Sequence, residues 1–280
     1  MNTVHEVEAG KRFDFGANWT RFLAVTDDDR IAEAESSLKQ MLRIERLDGQ
    51  RFLDIGSGSG LFSLAARRLG ASVHSFDFDP QSVACTQELK RRYCPEDSEW
   101  YIERGSALDR DYLEGLGQFD IVYSWGVLHH TGAMWLALEH AIGRVRPAGG
   151  KLFVALYNDQ GWKSHVWWLV KRLYNRLPRF LRAPFVTSVM LMTHIAVFVK
   201  YTSRRQPMTA IDAIRRVRRE RGMTTKYDQI DWVGGFPYEF VSFETLTSYL
   251  QARGFAVINS RRNTSLGCSE WTVERMACAE

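Results

Sequence analysis

Apolar side chains at Ile31, Ala34, Leu38, Met41, Leu42 and Ile44 recur at helical spacing, predicting a helix over 27–47 that Asp48-Gly49 ends. The period then changes. Residues 51–60 read RFLDIGSGSG, an apolar run into Asp54 followed by Gly56, Gly58 and Gly60, and helical spacing resumes at Leu61. This predicts strand, tight turn, helix. The alternation continues with strands over 71–77, 100–104, 119–123 and 151–157, and a helix over 81–93 that starts beside Pro80. Strands alternating with helices predict a parallel sheet covered on both faces. Near the end of the chain a helix over 242–253 begins with Ser242 as cap and stops at Gly254. Residues 255–260 and 271–277 then predict two more strands joined by a turn over 263–270.

Between residues 158 and 232 the alternating pattern is interrupted. Trp162, Val166, Leu169, Val170, Leu173 and Leu177 share one helical face, and residues 185–199 are apolar but shorter than the roughly 20 residues that span a bilayer. The charge is also uneven. Residues 160–222 hold 14 Lys or Arg against two acidic residues, whereas the whole chain is only +4. Three readings of this segment stay open. It is a helical cap packed on the sheet domain, an amphipathic element on an anionic membrane, or a nucleic-acid platform using Arg215 to Arg221.

With 280 residues and 45% hydrophobic content, the chain can bury one enlarged domain. Cys85, Cys94, Cys268 and Cys278 show no metal spacing, so free thiols in a reducing compartment are expected. Residues 1–10 lack a positive stretch followed by an apolar run, which argues against secretion.

The glycine turn suits a polar ligand, because glycines admit positive φ and the following helix offers unpaired N–H groups. A dinucleotide fingerprint does not fit, since Leu61 or Ser63 stands where its third glycine belongs, and no Gly-Lys-Ser/Thr follows. Asp54 at the strand end would repel a pyrophosphate and suit an ammonium group. DIGSGSG resembles the first motif of class I S-adenosylmethionine-dependent methyltransferases. That resemblance implies an α/β Rossmann-like, doubly wound, seven-stranded sheet with the last strand antiparallel. It implies S-adenosylmethionine as cofactor and S-adenosylhomocysteine as product.

The same resemblance implies a cofactor site of Asp54, Gly56, Ser57, Gly58 and Gly60, with Asp77 on the ribose hydroxyls and Phe78 against the adenine. Ser106 and Ala107 would touch the base, where relatives place an acidic residue, and Ser124, Trp125 and Gly126 would flank the methionine part. Phe15 and Trp19, in an aromatic-rich N-terminal stretch, are candidates for a lid or for a stripe packed on the core. His129 and His130 follow the fourth strand at the sheet's ligand-binding edge, on the rim above the transferable methyl, and either is a candidate general base.

The sequence is similar to ubiquinone-biosynthesis O-methyltransferases, most strongly over 51–157. Those enzymes carry Glu-x-x-Glu-His at a metal-linked position, where this chain has Gly126, His129 and His130, so no metal is expected. Asp/Asn-Pro-Pro-Tyr is absent after the fourth strand, and no cysteine sits there, which disfavours several nucleic-acid chemistries. The expected organisation is an N-terminal helical lid over 1–50, a cofactor-binding core over 51–157, an inserted basic helical cap over 158–232 and the rest of the sheet over 233–280. The expected activity is O-methylation of a small or lipid-like molecule by a cytoplasmic protein, with peripheral membrane contact through 160–222 as one possibility. An RNA methyltransferase and a non-catalytic cofactor-binding protein are the alternatives.

Overall fold

The computed structural model describes residues 13, 26–203, 230, 232–264 and 267–277. Phe15, Trp19 and the arginine run 215–221 lie outside them. In chain order the elements are α1 (Asp28–Leu42), β1 (Arg51–Ile55), α2 (Leu61–Arg68), β2 (Ser72–Asp77), α3 (Pro80–Tyr93) and β3 (Trp100–Arg104). Next come α4 (Arg110–Gly115), β4 (Ile121–Trp125), a 3-10 turn (Leu128–His130), α5 (Met134–Arg144) and β5 (Lys151–Tyr157). The chain continues with α6 (Trp162–Arg176), α7 (Arg179–Ser203), α8 (Phe243–Gln251), β6 (Phe255–Arg261) and β7 (Cys268–Arg275).

Seven strands form one sheet in the order β3-β2-β1-β4-β5-β7-β6. The first five are parallel to their neighbours, and β7 runs antiparallel to both β5 and β6. Because alternate residues of a strand face opposite sides, β1 sends Phe52 into a core with α1 and α2, and Leu53 and Ile55 into a second core with α5 and α8. The sheet is thus buried on both faces, as parallel strands require.

Three boundaries differ from expectation. Helix α1 stops at Leu42 because Arg43 turns left-handed at φ 52° and the Ile44 N–H closes on the Lys39 carbonyl. The fourth strand begins at Ile121, while Phe119 makes only an isolated bridge to Val145. Strand β7 begins at Cys268, so Glu270 lies in the sheet opposite Ala155 and Arg261, not in a turn.

The chain divides into two compact units, one of residues 14–165 and 237–280 and the other including Phe13 and residues 166–236. The division falls past Tyr157 because the chain just beyond β5 stays bonded to the first unit. The Asn158 N–H donates to the Gly267 carbonyl, Asn158 Nδ2 to the Asn263 carbonyl, and the Asp159 N–H to the Val241 carbonyl. Of the expected N-terminal lid, the described helix α1 packs Ile31, Ala34, Leu38 and Leu42 into the core as a layer helix.

In the second unit, α6 buries a mixed face. Lys171 Nζ donates to the Trp232 carbonyl at 2.6 Å, and Asn175 Nδ2 donates to the Gly234 carbonyl at 2.7 Å. Trp167 packs on Trp232 with ring centroids 4.2 Å apart. Arg182 of α7 donates to the Asn175 and Leu177 carbonyls, satisfying the end of α6.

Candidate active site

The glycine turn after β1 lies at the carboxyl edge of the sheet, with Gly56, Gly58 and Gly60 at φ 79°, 56° and 81°. Two of the three cannot carry a side chain. A Cβ on Gly56 would stand 2.5 Å from both Val127 methyls, and one on Gly60 would stand 3.0 Å from the Thr86 Cα. The Gly56 and Ser57 N–H groups both donate to the Phe76 carbonyl, and Ser57 Oγ meets Thr86 Oγ1 at 3.0 Å. Asp77 closes the turn, because one carboxylate oxygen accepts the Gly58 N–H at 3.0 Å and the other the Asp79 N–H at 2.9 Å. Asp79 in turn caps α3 through the Gln81 N–H, with Pro80 at the first helical position. The neighbouring Phe78 ring has the Arg104 guanidinium 5.6 Å from its centroid.

Strand alternation sends the Asp54 side chain the same way as Phe52, beside the start of α2, where it is 3% exposed. Ser63 Oγ donates to it at 2.5 Å, and Ser63 and Ser75 hydroxyls meet at 2.7 Å. Trp100 Nε1 donates to Ser75 Oγ at 2.9 Å. An indole nitrogen only donates and each hydroxyl has one proton, so with Asp54 ionised every proton in the chain points toward the carboxylate. Burial nevertheless raises the Asp54 carboxyl to about 7, the serine bond opposing the rise and the Asp77 charge adding to it.

The end of β4 supplies the next group. Ser124 is fully buried and donates to the Ile55 carbonyl at 3.1 Å, tying β4 to the start of the glycine turn. Trp125 is half exposed, and its indole N–H donates to Glu270 on β7 at 3.2 Å. Gly126 adopts φ 74°. After β3, Ser106 Oγ accepts the Leu108 N–H, and the Ala107 carbonyl faces His140 Nδ1 at 2.9 Å.

His129 and His130 occupy the 3-10 turn that follows, and both are buried, not on an open rim. Their Nδ1 atoms meet opposite partners. His130 Nδ1 lies 2.5 Å from the Pro237 carbonyl, which only accepts, so this nitrogen bears the proton. His129 Nδ1 accepts the Tyr157 N–H at 3.4 Å, so its proton belongs on Nε2. Adjacent residues of one turn are held as different tautomers. The rings pack into an aromatic cluster, His129 to Tyr157 at 4.1 Å and Tyr157 to Tyr238 at 5.0 Å between centroids. Burial pushes the Tyr238 phenol up to about 12.

Residues 237–239, part of an aromatic, turn-rich run that the sequence offers as a lining for an acceptor pocket, strap this turn. The Glu239 N–H donates to the His129 carbonyl, and Glu239 Oε2 accepts the Met134 N–H at 3.0 Å at the start of α5. Burial raises the Glu239 carboxyl. The only sequence signal was an aromatic, turn-rich run, and the histidines it grips lie more than 100 residues earlier. Among the described residues, no group of three or more His, Cys, Asp or Glu side chains could hold a metal ion.

Comparison with known proteins agrees with this architecture. A family model described as a methyltransferase domain matches residues 27–260. A ubiquinone biosynthesis O-methyltransferase of Xanthomonas oryzae is 35% identical over 115 residues, covering 40% of this chain and 46% of that protein. A ribosomal protein L11 methyltransferase of Bacillus velezensis is 32% identical over 93 residues, covering 28% of this chain and 30% of that protein. The chain therefore spans less than half the length of these relatives. A magnesium protoporphyrin IX methyltransferase from Synechocystis, solved with bound S-adenosylhomocysteine, superposes with a TM-score of 0.55 at 12% identity, over 92% of this chain and 93% of that one. The chain belongs to the methyltransferase-domain family and has the Rossmann-like fold of class I S-adenosylmethionine-dependent methyltransferases.

Proposed function

We propose that this member of the methyltransferase-domain family binds S-adenosylmethionine at the carboxyl ends of β1, β2 and β4 and methylates an oxygen of a small or lipid-like acceptor. The residues present fit that cofactor. Gly56, Gly58 and Gly60 hold the turn at positive φ between β1 and α2, and the buried Asp54, which accepts from the Ser63 hydroxyl, would be relieved by an ammonium group. In this reading Asp54 meets the ammonium, Asp77 the ribose hydroxyls, Phe78 with Ser106 and Ala107 the adenine, and Ser57 and Ser124 to Gly126 the methionine part. When bound, the cofactor supplies an electrophilic methyl group on a sulfonium.

The chain's own task is then to orient the acceptor and take its proton, since a thioether leaves without protonation. The two tautomers favour His130 as the group that takes it. Its Nδ1 proton is committed to the Pro237 carbonyl, so the accepting nitrogen is Nε2, whereas His129 presents a protonated Nε2. That pair of opposite hydrogen bonds is the observation on which the assignment rests. An oxygen acceptor is supported by the name of the Xanthomonas relative and by the aromatic surround of Tyr157 and Tyr238.

The test measures methyl transfer to catechol and hydroquinone acceptors, with cofactor affinity followed separately by calorimetry. His130→Ala should lower kcat about 100-fold or more while leaving cofactor affinity unchanged. His129→Ala should disturb mainly stability. Equal turnover in His130→Ala and the parent enzyme would remove the base assignment, and absence of cofactor binding in the parent would remove the whole reading.

A further inference from the structure

Helix α6 buries polar groups while leaving large apolar ones exposed. The side that carries Lys171 and Asn175 is buried, while Trp162, Val166, Leu169 and Leu173 are 72%, 48%, 60% and 47% exposed. At 100° per residue these four fall within an arc of about 60°. Helix α7 also exposes an apolar stripe. Leu191, Met192, Ile195, Phe198 and Val199 are each 48% to 69% exposed, and they lie within an arc of about 120°. Contiguous apolar stripes of this kind on a water-facing helix mark an interaction surface.

The charge around the stripes selects the partner. Residues 160–211 contain nine Lys or Arg and no Asp or Glu. A second copy would present the same positive charge, and so would residues 204–222, whose sequence has seven arginines against Asp212 and Glu220. An anionic partner is required. Nucleic acid would use the cations, but it has no use for Leu, Met, Ile and Val side chains that offer neither stacking planes nor hydrogen bonds. A lipid interface uses both, taking the aliphatic groups below the headgroups and the cations at their level. Among the described residues no helix is long and apolar enough to cross a membrane, so the helices would lie in the interface plane.

We propose that α6 and α7 dock this protein on an anionic lipid surface through their exposed apolar faces. The docking does not depend on the methyl-transfer reading. It is tested with the full chain and vesicles of phosphatidylcholine, with and without phosphatidylglycerol, by co-sedimentation. Binding is expected only with phosphatidylglycerol present, and should weaken as salt is raised. The neutral double variants Leu169→Ser/Leu173→Ser and Met192→Ser/Ile195→Ser should each reduce partitioning about tenfold or more. Their helix content and S-adenosylmethionine affinity should match those of the parent.

Four outcomes would overturn the proposal. They are absence of vesicle binding, equal binding to neutral and anionic vesicles, undiminished binding in both variants, and a dimer whose sedimentation the variants abolish. RNA capture that the serine substitutions leave intact, in place of vesicle binding, would assign the charge to nucleic acid instead.

Discussion

Ionisation of Asp54 should set the pH dependence of cofactor affinity. Its carboxyl sits at about 7 because burial outweighs the Ser63 hydrogen bond, with Asp77 as the other charge acting on it. If the ammonium of S-adenosylmethionine requires the ionised form, affinity should fall about fivefold between pH 7 and pH 6, and level off above pH 8. Ser63→Ala removes the bond that favours the charged form. A hydrogen bond to a charged group is worth about 1.5–3 kcal/mol, so the midpoint should move up by about one pH unit or more. At pH 7 the variant would bind at least about fivefold more weakly, and raising the pH would restore it. Asp54→Asn should bind weakly with no slope in this range.

Stability carries the opposite sign. A carboxyl raised in the fold stabilises fully below its ordinary value near 3.8 and loses that contribution as pH rises through 7. The cofactor-free protein should therefore melt lower at pH 8 than at pH 6, and Asp54→Asn should flatten that difference. Calorimetry in buffers of different ionisation enthalpy adds a direct count, since binding near pH 6.5 should release about three-quarters of a proton. A dissociation constant that is flat from pH 5.5 to 8.5, or a Ser63→Ala midpoint that moves down, would refute the reasoning.

Gly56→Ala combines a left-handed φ with a Cβ 2.5 Å from two Val127 methyls. It should cost about 1–3 kcal/mol in thermal or urea unfolding, and lose cofactor affinity even where it folds. Lys171→Met keeps the stem of the side chain but orphans the Trp232 carbonyl. A loss of about 1–3 kcal/mol should appear in the unfolding of the second unit, without change in S-adenosylmethionine affinity. Glu239→Ala frees the Met134 N–H and loosens the histidine turn, so kcat should fall more than cofactor affinity. Equal losses in both would make Glu239 a purely structural group.

The central strands β4 and β5 were legible because strands buried on both faces leave apolar runs, and turn glycines mark the end of β1. What escaped the sequence was direction and partnership. The helical period of Trp162, Val166, Leu169 and Leu173 is plain, but periodicity names a face without saying whether it turns inward. Asp54 is picked out by its place beside the glycines, but its burial and its bond to Ser63 depend on helix packing that the strand's two-residue repeat alone does not name. Arg43 ended α1 early through a left-handed conformation that no glycine announced. The histidines were found by type, while their tautomers depend on Pro237 and Tyr157, contacts that only tertiary folding creates.

The interior position of β7 also constrains how the sheet is assembled. The strand latest in sequence lies between β5 and β6, and all seven residues of β5 have partners on it. While the chain is being synthesised, the five parallel strands can associate, but the outer edge of β5 stays unpaired and β6 has nowhere to attach until residues 268–275 leave the ribosome. Nascent chains halted just before Cys268 should therefore be the species most prone to strand-to-strand aggregation.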